Sequence, residues 1–259
     1  MKLKVTRSVF SSKITDMELI NRYCTDIRIQ PSQTDFENKL GYYETFRLFM
    51  DLANTHAEKL GVGQLKLMSE NLFWLTVKTR VRFLRRPKMG DLVEGQTWPV
   101  RPGSLRTDRC YRLKDQDGVL AEGRTEWAVM DLARGRLASV SSIFPEDLVF
   151  NEEPFSIIDF PRVMPADDTN TIKGEYKVTS ADIDMGQHMN NTAYVRALTG
   201  MFSVQELKDM DIKEITVVFK TSAHEGDVLS MALRRNGNTI DCGLYFKDGK
   251  PSLLAQIIV

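Results

Sequence analysis

The most chemically suggestive stretch of the sequence is DMGQHMNN, residues 184–191. It contains an aspartate, a glycine, two asparagines and one of only three histidines in the chain. Asp184 has the chemistry of a general base or a nucleophile, and His188, four residues later, can orient water or carry a proton. Gly186 would let the backbone come close to a bound substrate. The spacing is consistent with an active site, but taken alone it favours a helix cap that happens to contain a histidine.

A helix start would add electrostatic stabilisation to these side chains. Asn190 or Asn191 is a typical N-cap, and the first N–H groups of a helix are unpaired and lie at the positive end of its dipole. Such N–H groups stabilise the negative charge that develops on a carbonyl oxygen during hydrolysis.

The elements that would position this stretch occur twice along the chain. Residues 41–60 carry apolar side chains at helical spacing and end before Gly61, which predicts a helix with a glycine C-cap. Residues 71–83 then alternate apolar and polar, with Leu75, Val77, Thr79, Val81 and Phe83 on one face, which predicts a half-buried strand. Gly90-Asp91 and further strand-like runs follow, with a hairpin at Asp117-Gly118.

The second copy begins near residue 190. Tyr194 and Leu198 mark the apolar face of a helix, and Ile215, Val217 and Phe219 alternate in the next strand. Gly226-Asp227 follows Phe219 by seven residues, as Gly90-Asp91 follows Phe83. The intervening segment 139–170 holds four of the nine prolines, which indicates a connector across the surface. One helix before a run of antiparallel strands, repeated, predicts an α+β fold.

Composition narrows the functional classes. Three cysteines far apart in sequence favour neither a disulfide framework nor a zinc site, and no cofactor or metal motif is present. No stretch suits a signal peptide or a membrane span, so we expect a cytoplasmic protein. Residues 1–150 contain 24 lysines and arginines against 19 aspartates and glutamates, with the excess concentrated in residues 78–114. This excess indicates either solvated strand faces or a landing surface for an acidic partner, with nucleic acid disfavoured.

The tandem pattern resembles the acyl-ACP thioesterases, a family of tandem hotdog folds in which a curved antiparallel sheet wraps round one long helix. The residues that carry the resemblance are Asp182, Asp184, His188, Asn190, Asn191 and Tyr194, supported by Asn71 to Trp74, Gly90-Asp91 and Trp127 to Asp131. The resemblance implies an N-terminal unit at 1–150 with the acyl pocket, a linker at 151–170 and a catalytic unit at 171–259.

The resemblance also implies a function and a set of site residues. It implies hydrolysis of the thioester between a fatty acyl chain and acyl carrier protein, an acidic partner that suits the basic residues of 78–114. Catalysis is expected to rest on Asp184, His188 and the helix start, with Gln187 and Ser222 as water positioners. Gly186, Asn190 and Asn191 are expected to contact the substrate, and the acyl chain is placed around Phe46, Met50, Met68 and Trp74.

The sequence departs from the family pattern at two places. The best-known plant members place an asparagine where Gly186 stands, and a glutamate followed by a cysteine where Ser222 and Ala223 stand. His224 and Glu225 are near, but their register favours a loop and solvent. His56, late in the first helix, is expected at the surface or on a helix face.

Two other functions remain as alternatives. One is an acyl-CoA thioesterase, and the other is a non-catalytic module that binds acyl chains or carrier protein. A monomer or a homodimer is expected. Tandem copies can complete a hotdog pair within one chain, which favours a monomer, but dimers are common where sheet edges remain.

Overall fold

The protein is described by a computed structural model that covers residues 21–153, 155–157, 159–166 and 172–259. Its α-helices are α1 (Tyr42–Lys59), α2 (Gln64–Ser69), α3 (Asn191–Gly200) and α4 (Val204–Met210). The strands of the first half are β1 (Tyr23–Arg28), β2 (Leu72–Phe83), β3 (Leu92–Pro99), β4 (Thr107–Asp115), β5 (Gly118–Asp131) and β6 (Arg136–Leu137). Those of the second half are β7 (Ile172–Lys177), β8 (Glu214–Phe219), β9 (Val228–Asn236), β10 (Thr239–Tyr245) and β11 (Pro251–Ile258). Short 3-10 helices, Pro31–Gln33 and Ser180–Asp182, precede α1 and α3.

The strands form one antiparallel sheet in which the two halves have the same order. The first half runs β1-β3-β4-β5-β2 and the second runs β8-β11-β10-β9-β7. Counted outward from the β2–β8 junction, the strands of the two halves therefore follow the same order. The junction is the pairing of β2 with β8, where Thr79 lies opposite Val217 and Val81 opposite Ile215. The predicted α+β class and the tandem repeat are confirmed, and the junction removes one exposed edge from each half.

The long helix α1 lies directly on the inner face of the first half. Phe49 stacks on Tyr111 of β4 with ring centroids 4.9 Å apart. A β-carbon at Gly123 would lie 2.5 Å from Phe49 Cε2, and one at Gly95 would lie 2.7 Å from Ile27 Cδ1. Glycines at these strand positions therefore let the helix and its neighbours approach the sheet.

The predicted face of β2 is right at one end and wrong at the other. Thr79, Val81 and Phe83 are buried as expected, but nearer the start of the strand Thr76 is buried rather than Leu75 or Val77. The pairing with β5 shifts between Thr76 and Lys78. The extra residue of this bulge reverses the alternation, because side chains alternate with a period of two.

The connector lies across the outer face of the first half. Ile157 is completely buried, Phe155 packs edge-on against Trp98, and Lys78 Nζ lies 4.5 Å from the ring centre of Phe160. Arg124 donates a hydrogen bond to the carbonyl of Ile157 at 2.9 Å. Within the described part of 139–166 there is no helix or strand, as predicted.

Most of the basic residues of 78–114 are paired with carboxylates of the protein itself. The ion pairs are Lys78–Glu126, Arg80–Glu214, Arg82–Glu214, Arg85–Asp115, Arg86–Asp35, Arg112–Glu122 and Lys114–Glu94. These contacts offset much of the positive charge that the sequence shows in this segment. The structure therefore does not support the expectation that this segment is a free cationic landing surface.

None of the described helices has the length and apolarity needed to cross a membrane.

Candidate active site

A cavity of about 510 Å³ lies between the two halves of the molecule. The first half contributes one side of α1, from Arg47 to Glu58, and side chains near the ends of β2 to β5. The second half contributes Asp184, Met185 and the start of α3, Asn190 to Thr192. The exposed surface of the cavity is mostly apolar, which suits an acyl chain, and several charged side chains, Asp184 among them, also line it.

Asp184 is held at the cavity by its neighbours in the loop. Its Oδ1 accepts a hydrogen bond from the N–H of Gly186 at 2.8 Å, and its Oδ2 accepts one from Asn190 Nδ2 at 3.4 Å. Asn190 also caps α3, because its Oδ1 accepts from Thr192 N at 2.9 Å and from Thr192 Oγ1 at 2.7 Å. One asparagine thus ties the orientation of the carboxylate to the helix start.

The two histidines of the second half lie together, outside the lining of the cavity. The rings of His188 and His224 are 4.8 Å apart, and both residues are exposed. His224 Nδ1 lies 3.3 Å from the carbonyl oxygen of Gln187, a distance at which it donates a hydrogen bond. Gln187 itself has φ +61, which turns the backbone between Asp184 and His188. His224, expected in a loop, is in the loop but packs against His188.

Gly186 allows the first half to reach this loop. A β-carbon at Gly186 would lie 2.9 Å from Phe73 Cζ and 3.1 Å from Asp184 Oδ1. Phe73, at the start of β2, lines the cavity as well. The ring of Phe73 therefore occupies the space that the asparagine of the family pattern would need.

The loop Asp184–Asn190 has a counterpart in the first half. Asp184 N donates to His188 O at 3.0 Å, and Asp35 N donates to Lys39 O at 2.9 Å. Gln187 and Asn38 share a positive φ, of 61° and 58°. The loop Asp35–Gly41 therefore has the same backbone as Asp184–Asn190.

The two loops differ in what faces the aspartate. Leu40 N donates a hydrogen bond to Pro87 O in the first half, and Met189 N donates the matching one to Ala223 O in the second. The residue before each acceptor is Arg86 in the first half and Ser222 in the second, so these two residues occupy equivalent positions. Arg86 forms ion pairs with Asp35 and Glu37, whereas Ser222 is exposed and forms no hydrogen bond among the described residues. In the first half the carboxylate is neutralised by an arginine; in the second it faces the cavity without one.

Tyr194 and Asp182 of the motif are buried and form hydrogen bonds with the segments that surround the Asp184 loop. The Tyr194 hydroxyl accepts a hydrogen bond from Ala223 N at 2.8 Å and another from Ser252 Oγ at 3.0 Å, which ties α3 to the segment that carries Ser222. Asp182 accepts hydrogen bonds from Tyr176, Thr179 and Arg196. Burial alone would raise the pKa of Asp182, but these hydrogen bonds outweigh it and hold the pKa below its usual range.

The predicted acyl-pocket residues divide between the cavity and other environments. Met50 and Trp74 line the cavity, and Trp74 Nε1 donates to the carbonyl of Val62 at 2.8 Å. Phe46 is buried in the core, and Met68 is 37% exposed on α2; neither lines the cavity. Phe46 packs inward with the other core side chains, and the short helix α2 turns Met68 outward.

Two features of the site were missed from the sequence. Phe73 belongs to a quoted part of the motif, but only the fold shows that it packs against Gly186. Of the two expectations for His56, the surface position is wrong, because His56 lies completely buried on the inward face of α1 and its Nδ1 lies 3.0 Å from Arg109 Nη1. The sequence held one signal for this burial. His56 follows the apolar spacing of α1, and Arg109 falls on the face of β4 that points inward.

Comparison with protein families matches most of the chain. Residues 21–147 match the family model described as the acyl-ACP thioesterase N-terminal domain, and residues 166–252 match the C-terminal domain. A chloroplastic oleoyl-acyl carrier protein thioesterase of Coriandrum sativum is 26% identical over 216 residues, 74% of this chain and 57% of that protein. A chloroplastic palmitoyl-acyl carrier protein thioesterase of Cuphea hookeriana is 24% identical over 63% of this chain and 41% of its own length. The chain thus spans about half the length of these curated relatives.

Solved structures share the fold over nearly the whole chain. An acyl-ACP thioesterase from Bacteroides thetaiotaomicron superposes with a TM-score of 0.81 at 20% identity, covering 92% of this chain and 97% of that one. A 12:0-ACP thioesterase from Umbellularia californica superposes with a TM-score of 0.76 at 17% identity, covering 92% and 96%. The tandem hotdog architecture is therefore shared with these proteins, and both halves match their family models in sequence. The chain belongs to the acyl-ACP thioesterase family.

Proposed function

We propose that the protein hydrolyses the thioester of fatty acyl-acyl carrier protein, releasing a free fatty acid and the carrier protein. The observation that carries the proposal is the position of Asp184, a carboxylate at the wall of a largely apolar cavity beside the first turn of α3. The substrate class is suggested by the names of the matched relatives, which are acyl carrier protein thioesterases.

The geometry supports a division of labour between the two halves. The acyl chain lies in the cavity along α1, in contact with Met50 and Trp74, and its thioester reaches Asp184. Residues 1–150 thus supply most of the acyl pocket and residues 171–259 the catalytic loop, with 151–170 as the linker. Asn190 and Asn191 contact the thioester end of the substrate, and Gly186 gives the loop its close approach to Phe73.

Asp184 acts first, as the base for a water molecule. It takes a proton from the water as the oxygen attacks the thioester carbonyl, which forms a tetrahedral oxyanion. The N–H of Asn191 makes no backbone hydrogen bond among the described residues and lies in the first turn of α3, where it stabilises that oxyanion. The C–S bond then breaks, and the thiolate takes a proton.

His188 serves the last step rather than the first. It lies outside the cavity lining, exposed beside His224, where a leaving carrier-protein arm would pass into solvent. We assign His188 the delivery of a proton to the departing thiolate. Gln187 acts through its carbonyl, which holds His224, and Ser222 positions water on the open side of Asp184.

The acyl-carrier-protein thioesterase and the acyl-CoA thioesterase differ in the group that carries the acyl chain. Carrier protein and CoA present the same thioester and the same arm to the cavity, so only the surface outside it distinguishes them. Because the ion pairs of residues 78–114 neutralise most of that segment, carrier recognition is assigned to the rim of the cavity rather than to the basic strands.

The test compares two aspartates that occupy equivalent positions. Thiol release is measured from matched acyl-carrier proteins and acyl-CoAs with the wild type, Asp184→Asn and Asp35→Asn. We expect Asp184→Asn to keep the fold and to lose hydrolysis by at least about 100-fold. Asp35→Asn, which breaks the ion pair with Arg86, is expected to lower stability while hydrolysis persists.

Each other outcome selects a different function. Retention of hydrolysis in Asp184→Asn would refute the mechanism. A preference for acyl-CoA would make the protein an acyl-CoA thioesterase. A folded protein that binds acyl-carrier protein but hydrolyses no thioester would be a binding module.

A further inference from the structure

A buried arginine lines the same cavity at a distance from Asp184. Arg109 is only 6% exposed, and its side chain points from the inner face of β4 towards α1, where it meets His56. Arg109 of β4 lies opposite Thr125 of β5, which in turn lies opposite Thr79 of β2, so Arg109 is level with Thr79 in the sheet. Phe73 lies six residues before Thr79 on β2. At about 3.3 Å per residue, Arg109 lies about 20 Å along the strands from the residue that contacts Gly186.

The hydrogen-bond partners of Arg109 are neutral. Its Nη1 donates to His56 Nδ1 at 3.0 Å and reaches Thr97 Oγ1 at 3.4 Å. A guanidinium only donates, so His56 Nδ1 must be an unprotonated acceptor and the imidazole is neutral. The positive charge of Arg109 is therefore not balanced by either partner.

No carboxylate among the described residues forms an ion pair with Arg109. Its sequence neighbour Asp108 pairs instead with Arg124. Asp51 and Glu58 line the cavity from α1, but neither is among the groups whose charge acts on Arg109 within the described part of the chain. Burial lowers the pKa of Arg109, which is the expected result for a cation that is desolvated without an anion beside it.

We propose that the cavity takes acyl chains that carry an oxygen function remote from the thioester, a carboxylate or another hydrogen-bond-accepting oxygen, which binds Arg109. This inference rests on the proposed thioesterase function, since it names the class of acyl chain that the same site accepts. Arg109 is thus a specificity-determining residue, and the carboxylate fits best because a planar guanidinium binds it through two hydrogen bonds.

The experiment uses acyl-carrier proteins of equal chain length that end in a methyl group, a hydroxyl group or a carboxylate, over a series of lengths. The wild type is compared with Arg109→Met and Arg109→Lys. Arg112→Met is the matched control, because Arg112 lies on the outer face of the same strand and pairs with Glu122. We expect the oxygenated chains to have a kcat/KM at least about tenfold higher than the methyl-ended chain, and Arg109→Met, but not Arg112→Met, to abolish this preference.

Two results would overturn the inference. One is a wild type that hydrolyses the methyl-ended chains as well as the oxygenated ones at every length. The other is an Arg109→Met variant that loses activity on all three chains by the same factor, since Arg109 would then be structural. If Arg109→Met does not fold, the wild-type preference and Arg109→Lys decide the question.

A binding measurement separates this inference from the proposed function. Calorimetry with free dicarboxylic and monocarboxylic acids of equal length needs no turnover. If no thioester is hydrolysed, the proposed function fails, and tighter binding of the dicarboxylic acid would still support the role of Arg109. Equal binding of the two acids would reject that role even if methyl-ended thioesters were hydrolysed.

Discussion

The ring of Phe73 fills the space into which a side chain at Gly186 would extend. A β-carbon at Gly186 would lie 2.9 Å from Phe73 Cζ. This contact joins the start of β2 in the first half to the loop Asp184–Asn190 of the second. In the family pattern an asparagine stands at the position of Gly186. Here the Phe73 ring of the other half occupies that space and packs against the loop instead.

Substitution of Gly186 should therefore disturb the loop in proportion to the size of the new side chain. Gly186→Ala must displace Phe73, and Gly186→Asn must displace it further. We expect losses of about 1–3 kcal/mol in the free energy of unfolding and a lower kcat, measured by urea denaturation and thiol release.

Gly200 provides the control for this prediction. A β-carbon there would meet nothing within 4 Å, so Gly200→Ala should be neutral or stabilising. Adding Phe73→Ala to Gly186→Asn should recover part of the lost activity. If Gly186→Asn is as stable as the wild type, the packing argument is wrong.

The equivalence of Arg86 and Ser222 predicts how to inactivate the site without unfolding the protein. Ser222→Arg would place a guanidinium opposite Asp184, as Arg86 lies opposite Asp35. We expect hydrolysis to fall by at least about tenfold, and the loss to shrink at high ionic strength because salt screens the new pair. Ser222→Ala tests the water-positioning role and should have a smaller effect; equal effects of the two variants would contradict the pairing.

Removal of the Tyr194 hydroxyl should loosen the segment behind the site. Tyr194→Phe leaves the N–H of Ala223 without its acceptor in the core, at a cost of about 1–3 kcal/mol. Because Ala223 adjoins Ser222, kcat should fall as well. Tyr43→Phe is the control, since the Tyr43 hydroxyl makes no hydrogen bond among the described residues. A Tyr194→Phe variant with unchanged stability, measured by thermal unfolding, would remove this explanation.

Asp182 should make stability depend on acid pH. Its folded pKa lies below the usual value of 3.8, so its contribution is fully present above that pH and is lost as the pH falls through the folded pKa. Asp182→Asn should lose about 1–3 kcal/mol at neutral pH, a modest figure because Arg196 is half exposed. Unfolding free energies measured across this range should fall less steeply for the variant, and parallel curves would exclude Asp182 as the cause.

Local patterns in the sequence identify the elements and the loop because each rests on neighbours in the chain. The apolar stripe of α1, the cap at Asn190 and the hairpin glycine Gly118 depend on residues a few positions apart. The bulge in β2 was not predicted, because a one-residue shift in pairing leaves no mark on composition. The same shift turned Thr76 inward.

Ion pairing shows the same division. The sequence shows that arginines accumulate in 78–114, but not that Glu214 of the other half lies between Arg80 and Arg82. Net charge along a chain reports the charges present, and only the fold reports which of them are neutralised.

The sequence by itself determined the tandem repeat, the α+β class and the cluster of Asp184, His188 and Asn190, because periodicity, capping and motif spacing are properties of consecutive residues. The tertiary structure decided what surrounds that cluster. It placed Phe73 on Gly186, left Asp184 without the arginine that its counterpart Asp35 has, and buried Arg109 in the wall of the cavity against His56. These relationships join residues far apart in the chain, and they arise only when the two halves pair through β2 and β8.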